Sequence, residues 1–291
     1  MLNALAASSL DRVSSTLRSF YQLRLNKIHK FKAKVDINME VGPFILKTVS
    51  TADELKEALS LRYQIFHREM IGKGNETGID VDEFDFHCDH LIIVEKRSNK
   101  IVGTYRLNCS LYRDQFYSSQ EFDLSKILAL PGVKLELGRA CIHKDYRRGL
   151  VISLLWRGIA QYMMATDSQI LFGCASIKSE EPRQAALLLQ HFIEQGRYSE
   201  LYDAPPKASY LMPDVGSCFD LLQDGLTASM KLEAEELLPP LCRTYLKIGA
   251  FVGGAPAWDR EFKCIDFLTI LRREDLNKTL WKKLRLDSAE S

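Results

Sequence analysis

Glu136-Leu137-Gly138-Arg139-Ala140-Cys141-Ile142, running into His143-Lys144-Asp145-Tyr146-Arg147-Arg148-Gly149, is the stretch that decides the fold. It reads as an apolar strand carrying an acid and a base three places apart, then a basic turn. A helical pattern follows, with Val151, Leu154, Leu155, Ile159 and Met163 on one face. This order brings a carboxylate and a guanidinium to the mouth of a helix N-terminus, which attracts anions such as phosphate. A general base, a cation and free backbone N–H groups are what group transfer from a phosphate-bearing carrier requires. On an unbroken strand Glu136 and Arg139 would face opposite sides. The sequence therefore predicts a β-bulge near Gly138 that turns both to one face.

Working outward, Phe44–Val49 reads as the first strand, and Thr51 with Glu54 as a capping box opening a helix that ends near Arg62 and Phe66. Residues 72–78 are glycine-rich, and the acidic segment Asp80–Asp85 follows. His90–Glu95 and Ile101–Leu107 form a predicted hairpin, and residues 112–130 hold a short helix. Val133–Ile142, Gln169–Ser176 and Cys264–Leu271 are further strands, with a two- to three-residue strand at Ala250–Val252. Val151–Met164, Glu180–Gln195 and Glu235–Ile248 are helices. The pattern predicts an α/β (α+β) fold, a mixed central sheet with helices on both faces. Residues 1–40 read as a basic segment, 41–275 as one domain with an insertion or cover at about 178–234, and 276–291 as a tail.

Composition excludes more than it selects. The 46% hydrophobic and 26% charged residues are those of a soluble globular protein. A net charge of +1 does not point to nucleic acid. The seven cysteines form no C-x-x-C pair, so they read as reduced core residues rather than a disulfide set or a zinc site. No metal is expected. No run reaches membrane-spanning length, and the N-terminus has no secretory pattern, so a cytoplasmic location is expected. Between Met1 and Val35 seven Lys/Arg face a single acid, Asp11, with apolar residues at helical spacing. Such a basic amphipathic helix suits the inner membrane face or an acidic partner, and equally suits packing on its own domain.

Singly, the polar residues at the ends of these elements have ordinary explanations. Together Arg62-x-x-x-Phe66, Asp82-x-x-Asp85, Gly103-Thr104-Tyr105-Arg106-Leu107 and Glu136-x-x-Arg139 resemble the acyl-homoserine-lactone (autoinducer) synthases, of the Gcn5-related N-acyltransferase superfamily. A closer resemblance is to the bacterial ornithine N-acyltransferases, often labelled hemolysin-like, and likewise to long-chain N-acyl amino acid synthases. It rests on Phe84-Asp85-x-x-Cys88-Asp89-His90-Leu91, Leu135-Glu136-Leu137-Gly138-Arg139, Leu155-Trp156-x-Gly158-Ile159, Phe172-Gly173-Cys174-Ala175-Ser176, Leu238-Pro239-Pro240-Leu241, and Tyr245-Leu246-x-x-Gly249-Ala250-Phe251-Val252-Gly253-Gly254. It spans roughly residues 44–271.

The resemblance implies a Gcn5-type sheet splayed between its central strands, where pantetheine inserts. It implies transfer of a long-chain acyl group from a thioester to an amino acid's α-amine, ornithine first, giving a lyso-ornithine lipid or N-acyl amino acid. The superfamily's R-x-x-G-x-G/A turn is here Arg147-Arg148-Gly149-Leu150-Val151, with one glycine. Close approach to a coenzyme A pyrophosphate is therefore disfavoured. Acyl carrier protein is the expected donor, drawn to Lys144, Arg147 and Arg148, with acyl-coenzyme A as the other option. No bound cofactor is expected.

Glu136 is the expected base, with Arg139 and His90 beside it. Arg62, Phe66, Asp82, Asp85, Asp89 and Arg106 are the expected substrate residues: arginines for the carboxylate, aspartates for an amine, Asp89 in support. Cys141, Ile142, Arg147, Arg148, Gly149, Trp156, Phe172 and Ser176 are expected along the acyl and pantetheine path, with N–H groups near Cys141–Ile142 for the oxyanion. An autoinducer synthase and a non-catalytic acyl-carrier or lipid-binding module are the alternatives.

Overall fold

The computed structural model describes residues 27–72, 74, 77–147, 149–277 and 279. Most of the basic N-terminal segment and Arg148 thus lie outside the described residues.

Nine strands form one mixed sheet among the described residues. They are β1 (Asn38–Val41), β2 (Phe44–Thr48), β3 (Asp89–Glu95), β4 (Lys100–Cys109), β5 (Val133–Ile142), β6 (Ser168–Ile177), β7 (Phe251–Val252), β8 (Ala257–Asp259) and β9 (Cys264–Arg272). The order is β1-β2-β3-β4-β5-β6-β9-β7, with β8 also on β9. β1 to β5 meander antiparallel, β5 and β6 run parallel, and β9 returns antiparallel to β6. Strands β1 and β8 lie outside the sequence expectation, being too short for their alternation to register.

The helices are α1 (Ala52–Tyr63), α2 (Ser125–Ala129), α3 (Leu150–Thr166), α4 (Pro182–Glu194), α5 (Val215–Asp220), α6 (Ala228–Leu237) and α7 (Pro240–Ile248). The capping box holds: Glu54 N–H donates to Thr51 Oγ1 at 3.2 Å and Thr51 N–H to Glu54 Oε2 at 3.3 Å. The chain then continues as a wide, π-helical stretch, Gln64–Ile71, a geometry that recurs at functional sites. The single helix expected over Glu235–Ile248 is two, α6 and α7. Pro239 and Pro240 have no N–H to continue the ladder, and Pro240 instead opens α7.

Alternation along β3 assigns the two faces. Leu91 and Ile93 face the cluster with Leu154, Leu155 and Ile159 of α3, whereas Ile92 and Val94 face Leu55, Leu59 and the rest of α1. Part of the segment expected as a cover is core: Phe192 of α4 meets Phe267 of β9 edge-on, ring centroids 5.1 Å apart. No helix among the described residues is long and apolar enough to cross a membrane.

Two departures from a regular sheet position the site. Thr104 pairs with Cys141 and Arg106 with Gly138, so β5 advances three residues while β4 advances two. This is the bulge expected near Gly138. The residue with positive φ is Arg139, at 51°, beside Gly138, where an added Cβ would meet Arg106 Nε at an ordinary contact distance of 4.0 Å. Next, the β5–β6 ladder ends at Glu136 and Phe172, although β5 runs on to Ile142 and β6 to Ile177. Beyond that pair the strands part. Gly173 stands at the fork, where a Cβ would sit 2.1 Å from the Leu137 carbonyl oxygen.

Candidate active site

The α1 face of the splay carries three arginines matched by three aspartates. Arg62 lies 2.7 Å from Asp80 through Nε and 2.5 Å from Asp85 through Nη1. Arg106 Nη1 donates to Asp82 at 2.7 Å and to Asp85 at 3.0 Å. Arg139 reaches Asp82 at 3.2 Å. Burial alone would raise the aspartates. Arg62, a His67 hydrogen bond and Arg139 outweigh it at Asp80, and Arg62 and Arg106 outweigh it at Asp85, so both stay well below the usual carboxylate range. Asp82 is lowered by Arg106 and Arg139 against burial and the Asp85 charge.

Arg139 is caged by aromatic rings, 4.7 Å from the centroid of Tyr117, 5.2 Å from Phe262 and 5.8 Å from Phe66. Its Nε is buried without a hydrogen-bond partner. Glu136, 4% exposed, accepts the N–H groups of Tyr117 at 2.9 Å and Ser118 at 2.7 Å. Asn108 Nδ2 also donates to Oε2 at 3.5 Å, so the free second acceptor position is on Oε1.

Between β5 and β6 lies a cavity of about 200 Å³. Arg106, Glu136, Gly138 and Arg139 border it from the sheet, Phe66 and Met70 from the π-helical stretch. Tyr105 and Tyr245, whose hydroxyls are hydrogen-bonded, border it from the α7 side. A smaller apolar cavity of about 20 Å³ adjoins it through Leu137, Cys174 and Tyr245, and is bordered by Trp156 and Phe172. The Trp156 indole N–H is buried and unpartnered there.

Of the residues expected from sequence, Phe66, Arg106, Glu136, Arg139 and Ser176 border the main cavity, and Trp156 and Phe172 the small one. Others have different positions. His90 is fully buried; its Nε2–H donates to the Asp85 carbonyl at 2.9 Å and its Nδ1 has no partner. Burial, reinforced by Arg62 and Arg106, pushes it down to about 4, so it is a neutral spacer. Asp89 accepts the N–H groups of Lys34 and Val35 and the Tyr162 hydroxyl, and so clamps the entering chain to α3. Arg62 is held by Asp80 and Asp85, Asp85 by Arg62 and Arg106, and Asp82 by Arg106 and Arg139, and none of Arg62, Asp82 and Asp85 borders the cavity.

Cys141 packs in the α1 cluster, and the main chain bordering the cavity is Leu137–Ala140, short of Cys141–Ile142. Gly149 precedes α3 with φ 89° and is exposed, as is Arg147, which donates to the Ile142 carbonyl at 3.0 Å and pairs with Glu69 at 2.6 Å.

Sequence reasoning missed three carboxyls on the cavity wall: Glu121, Asp259 of β8 and Asp266 of β9. An acid inside the apolar run Cys264-Ile265-Asp266-Phe267-Leu268 was the available signal. They are 1%, 5% and 2% exposed. Glu121 Oε2 and Asp266 Oδ1 receive no N–H or hydroxyl donor, and the two carboxyls lie within hydrogen-bonding reach of each other. Burial and the Asp266 and Asp259 charges push Glu121 up. Burial and Asp259 do the same to Asp266 against a Ser176 hydrogen bond. Donor atoms of Asp259, Cys264 and Asp266 lie within 4.8 Å of one another, a spacing open to a metal. Burial and the two aspartates push the Cys264 thiol far up, which disfavours the thiolate a metal would take.

Comparison with known proteins agrees with this architecture. Residues 61–157 match the family model described as an acetyltransferase (GNAT) domain. The chain is 31% identical to an L-ornithine N(alpha)-acyltransferase of Rhizobium meliloti (strain 1021), over 81% of this chain and 82% of that protein. It is 30% identical to the one from Agrobacterium fabrum, over 79% and 81%. Among solved structures it is similar to the CoA-dependent acyl-homoserine lactone synthase BjaI, at 15% identity, covering 81% of this chain and 82% of that one with TM-score 0.45. It is also similar to FeeM, an N-acyl amino acid synthase from uncultured soil microbes, at 9% identity, 88% and 99% coverage and TM-score 0.42. The chain is an acyltransferase and belongs to the L-ornithine N(alpha)-acyltransferase family.

Proposed function

We propose that the protein transfers a long-chain fatty acyl group from the thioester of acyl carrier protein to the α-amino group of ornithine. The observation that carries the acyl transfer to ornithine is the 31% identity over about four fifths of both chains to a relative named L-ornithine N(alpha)-acyltransferase. The splay cavity supports it.

The thioester enters between β5 and β6, with its acyl chain directed to the small apolar cavity. That cavity must widen on binding, since each buried methylene contributes about 0.8 kcal/mol. The acceptor carboxylate meets Arg139, whose caged guanidinium makes no hydrogen bond through Nε, 3.9 Å from Asp80. An α-amine has a pKa of about 8, so most of it arrives protonated. Glu136 takes that proton through a water at a free acceptor position. The neutral nitrogen attacks the thioester carbonyl. The N–H groups of Arg139 and Ala140 hold the oxyanion. The C–S bond then breaks, the nitrogen gives up its second proton, the thiolate takes up that proton, and the amide remains. The single-glycine turn before α3 and exposed Arg147 favour the one phosphodiester of a carrier protein over a pyrophosphate.

The test is mass spectrometry of the purified protein with palmitoyl acyl carrier protein or palmitoyl-coenzyme A and an amino-acid pool. N-Palmitoyl-ornithine, formed faster from the carrier protein, is expected. Another acceptor, or no product from either donor, overturns the proposal.

A further inference from the structure

The main cavity is lined by two sets of charge that differ in one respect. On its α1 side the wall carries Arg106 and Arg139, whose counter-charges Asp82 and Asp85 stand behind the wall and are already paired with arginines. Glu121, Asp259 and Asp266 have no ion pair to a basic side chain among the described residues; burial and the charge of neighbouring aspartates raise Glu121 and Asp266, and these two carboxyls hydrogen-bond each other, which requires a proton held between them. Two of their oxygens are buried without an N–H or hydroxyl donor, and both residues border the cavity. An unpaired buried acceptor is costly, and a protein keeps it where a ligand supplies the donor.

We propose that Glu121, Asp266 and Asp259 form a subsite for the terminal ammonium of the acceptor's side chain. This rests on the reading of the acceptor as ornithine, whose δ-ammonium it would receive. The three groups come from separate elements that meet at the cavity. Glu121 ends the turn whose Tyr117 and Ser118 N–H groups hold Glu136. Asp259 Oδ1 accepts the N–H groups of Glu261 and Phe262, which fixes the Phe262 ring against Arg139. Asp266 lies across from Ser176 in the β6–β9 ladder.

The carboxylate fork and the ammonium subsite are thus joined through Tyr117 and Phe262. An amino acid held at Arg139 by its carboxylate would be read at the far end by its charge. An ammonium donating to Glu121 and Asp266 displaces the proton that the two carboxyls share and supplies the positive charge their wall lacks. Ornithine and 2-aminopentanoate share a carbon skeleton and differ in that nitrogen. A site built around unpaired carboxyls rejects the analogue that leaves them unpaired.

The experiment measures kcat/KM of the full-length protein for ornithine and for 2-aminopentanoate. It is repeated in Glu121→Gln and Asp266→Asn, with metal content assayed in each. The wild type should prefer ornithine by at least 30-fold, and each variant should lose at least tenfold of that ratio, through KM. Binding of the two amino acids to the wild type, followed by calorimetry in buffers of different ionisation enthalpy, keeps the test open if a variant fails to fold. Ornithine should release protons from Glu121 and Asp266 that 2-aminopentanoate does not. An unchanged ratio in folded variants, or equal proton release, overturns the subsite. Stoichiometric metal that Asp259→Asn abolishes overturns it in favour of a metal centre. Failure of the wild type to acylate any amino acid overturns the acyl-transfer reading itself, a result distinct from loss of selectivity.

Discussion

Tyr117 links the two principal groups of the site: its ring lies 4.7 Å from the Arg139 guanidinium, and its main-chain N–H donates to Glu136 at 2.9 Å. One residue therefore sets both the cation that would orient the acceptor and the carboxylate that would accept its proton. Tyr117→Phe keeps the ring and the backbone, and should keep kcat/KM within about threefold. Tyr117→Leu removes the cation–π contact of about 0.5–2 kcal/mol, a loss of up to roughly 30-fold in kcat/KM. Steady-state kinetics on the two variants separates the ring from the hydroxyl. Equal losses would show that the hydroxyl matters and the stacking does not.

Glu136→Gln tests the base. Glutamine keeps the shape but turns one acceptor oxygen into an NH2 group facing a main-chain N–H of Tyr117 or Ser118. The buried N–H left unsatisfied should cost about 1–3 kcal/mol. Turnover should fall by at least 100-fold, the scale of a lost general base, while circular dichroism reports a folded protein. A folded variant with near-full acylation would remove Glu136 from the chemistry and leave it as an anchor for the 117–121 turn.

Gly173→Ala addresses the splay. A methyl group at Gly173 would meet the Leu137 carbonyl oxygen at 2.1 Å, a main-chain atom that cannot swing aside. β5 and β6 must move apart at the fork, at a cost of about 1–3 kcal/mol in overpacking strain. Urea denaturation should show that loss. The KM for the thioester should change more than the KM for the amino acid, because the fork borders the acyl cavity. A variant as stable as the wild type would show that the fork is not the tight point of the sheet.

The central strands, the capping box and the bulge were legible because each leaves a local signal: alternation, an S/T-x-x-E spacing, and two polar residues at an odd interval. The identity of the bulge residue was not legible. Gly138 was the residue the bulge was expected near, yet the positive φ is at Arg139. The partition of the charges was also hidden. Asp82 and Asp85 read as free carboxylates in sequence, and their neutralisation depends on Arg62 and Arg106 approaching from α1 and β4. Asp259 and Asp266 reach the site only because β9 closes the sheet against β6, a long-range pairing with no local signature. His90 and Asp89 belonged to a recognisable motif whose use is structural, at the junction of β3 with the entering chain.

The arginine–aspartate network gives stability a definite acid limit. Asp80, Asp82 and Asp85 all have folded-state values below their unfolded value of about 3.9. Their contribution is complete above pH 4 and is lost as the pH falls from there toward the lower folded values. Asp85→Asn leaves Arg62 and Arg106 short of a buried counter-charge and should cost about 3–5 kcal/mol at pH 7. Chemical denaturation at pH 7 and pH 3 should show the gap between variant and wild type narrowing at the lower pH. A gap independent of pH would mean that the loss is steric.

Glu121 has the opposite sign. Its folded value lies above the unfolded value of about 4.3, because burial and the neighbouring Asp266 and Asp259 disfavour its charge. Folding therefore takes up a proton between the two values, and stability falls as the pH rises through that window. Glutamine carries no charge to desolvate, so Glu121→Gln should be more stable than the wild type at pH 8, by about 1–3 kcal/mol. The difference should disappear below about pH 4, where both side chains are neutral. The same substitution should weaken discrimination between ornithine and 2-aminopentanoate, the trade-off expected where a site is kept at the expense of stability. Thermal unfolding at pH 8 and pH 4 decides this. If Glu121→Gln melts below the wild type at pH 8, the carboxylate already has a stabilising partner in the free protein. The cavity would then have no unpaired charge to offer an incoming ammonium.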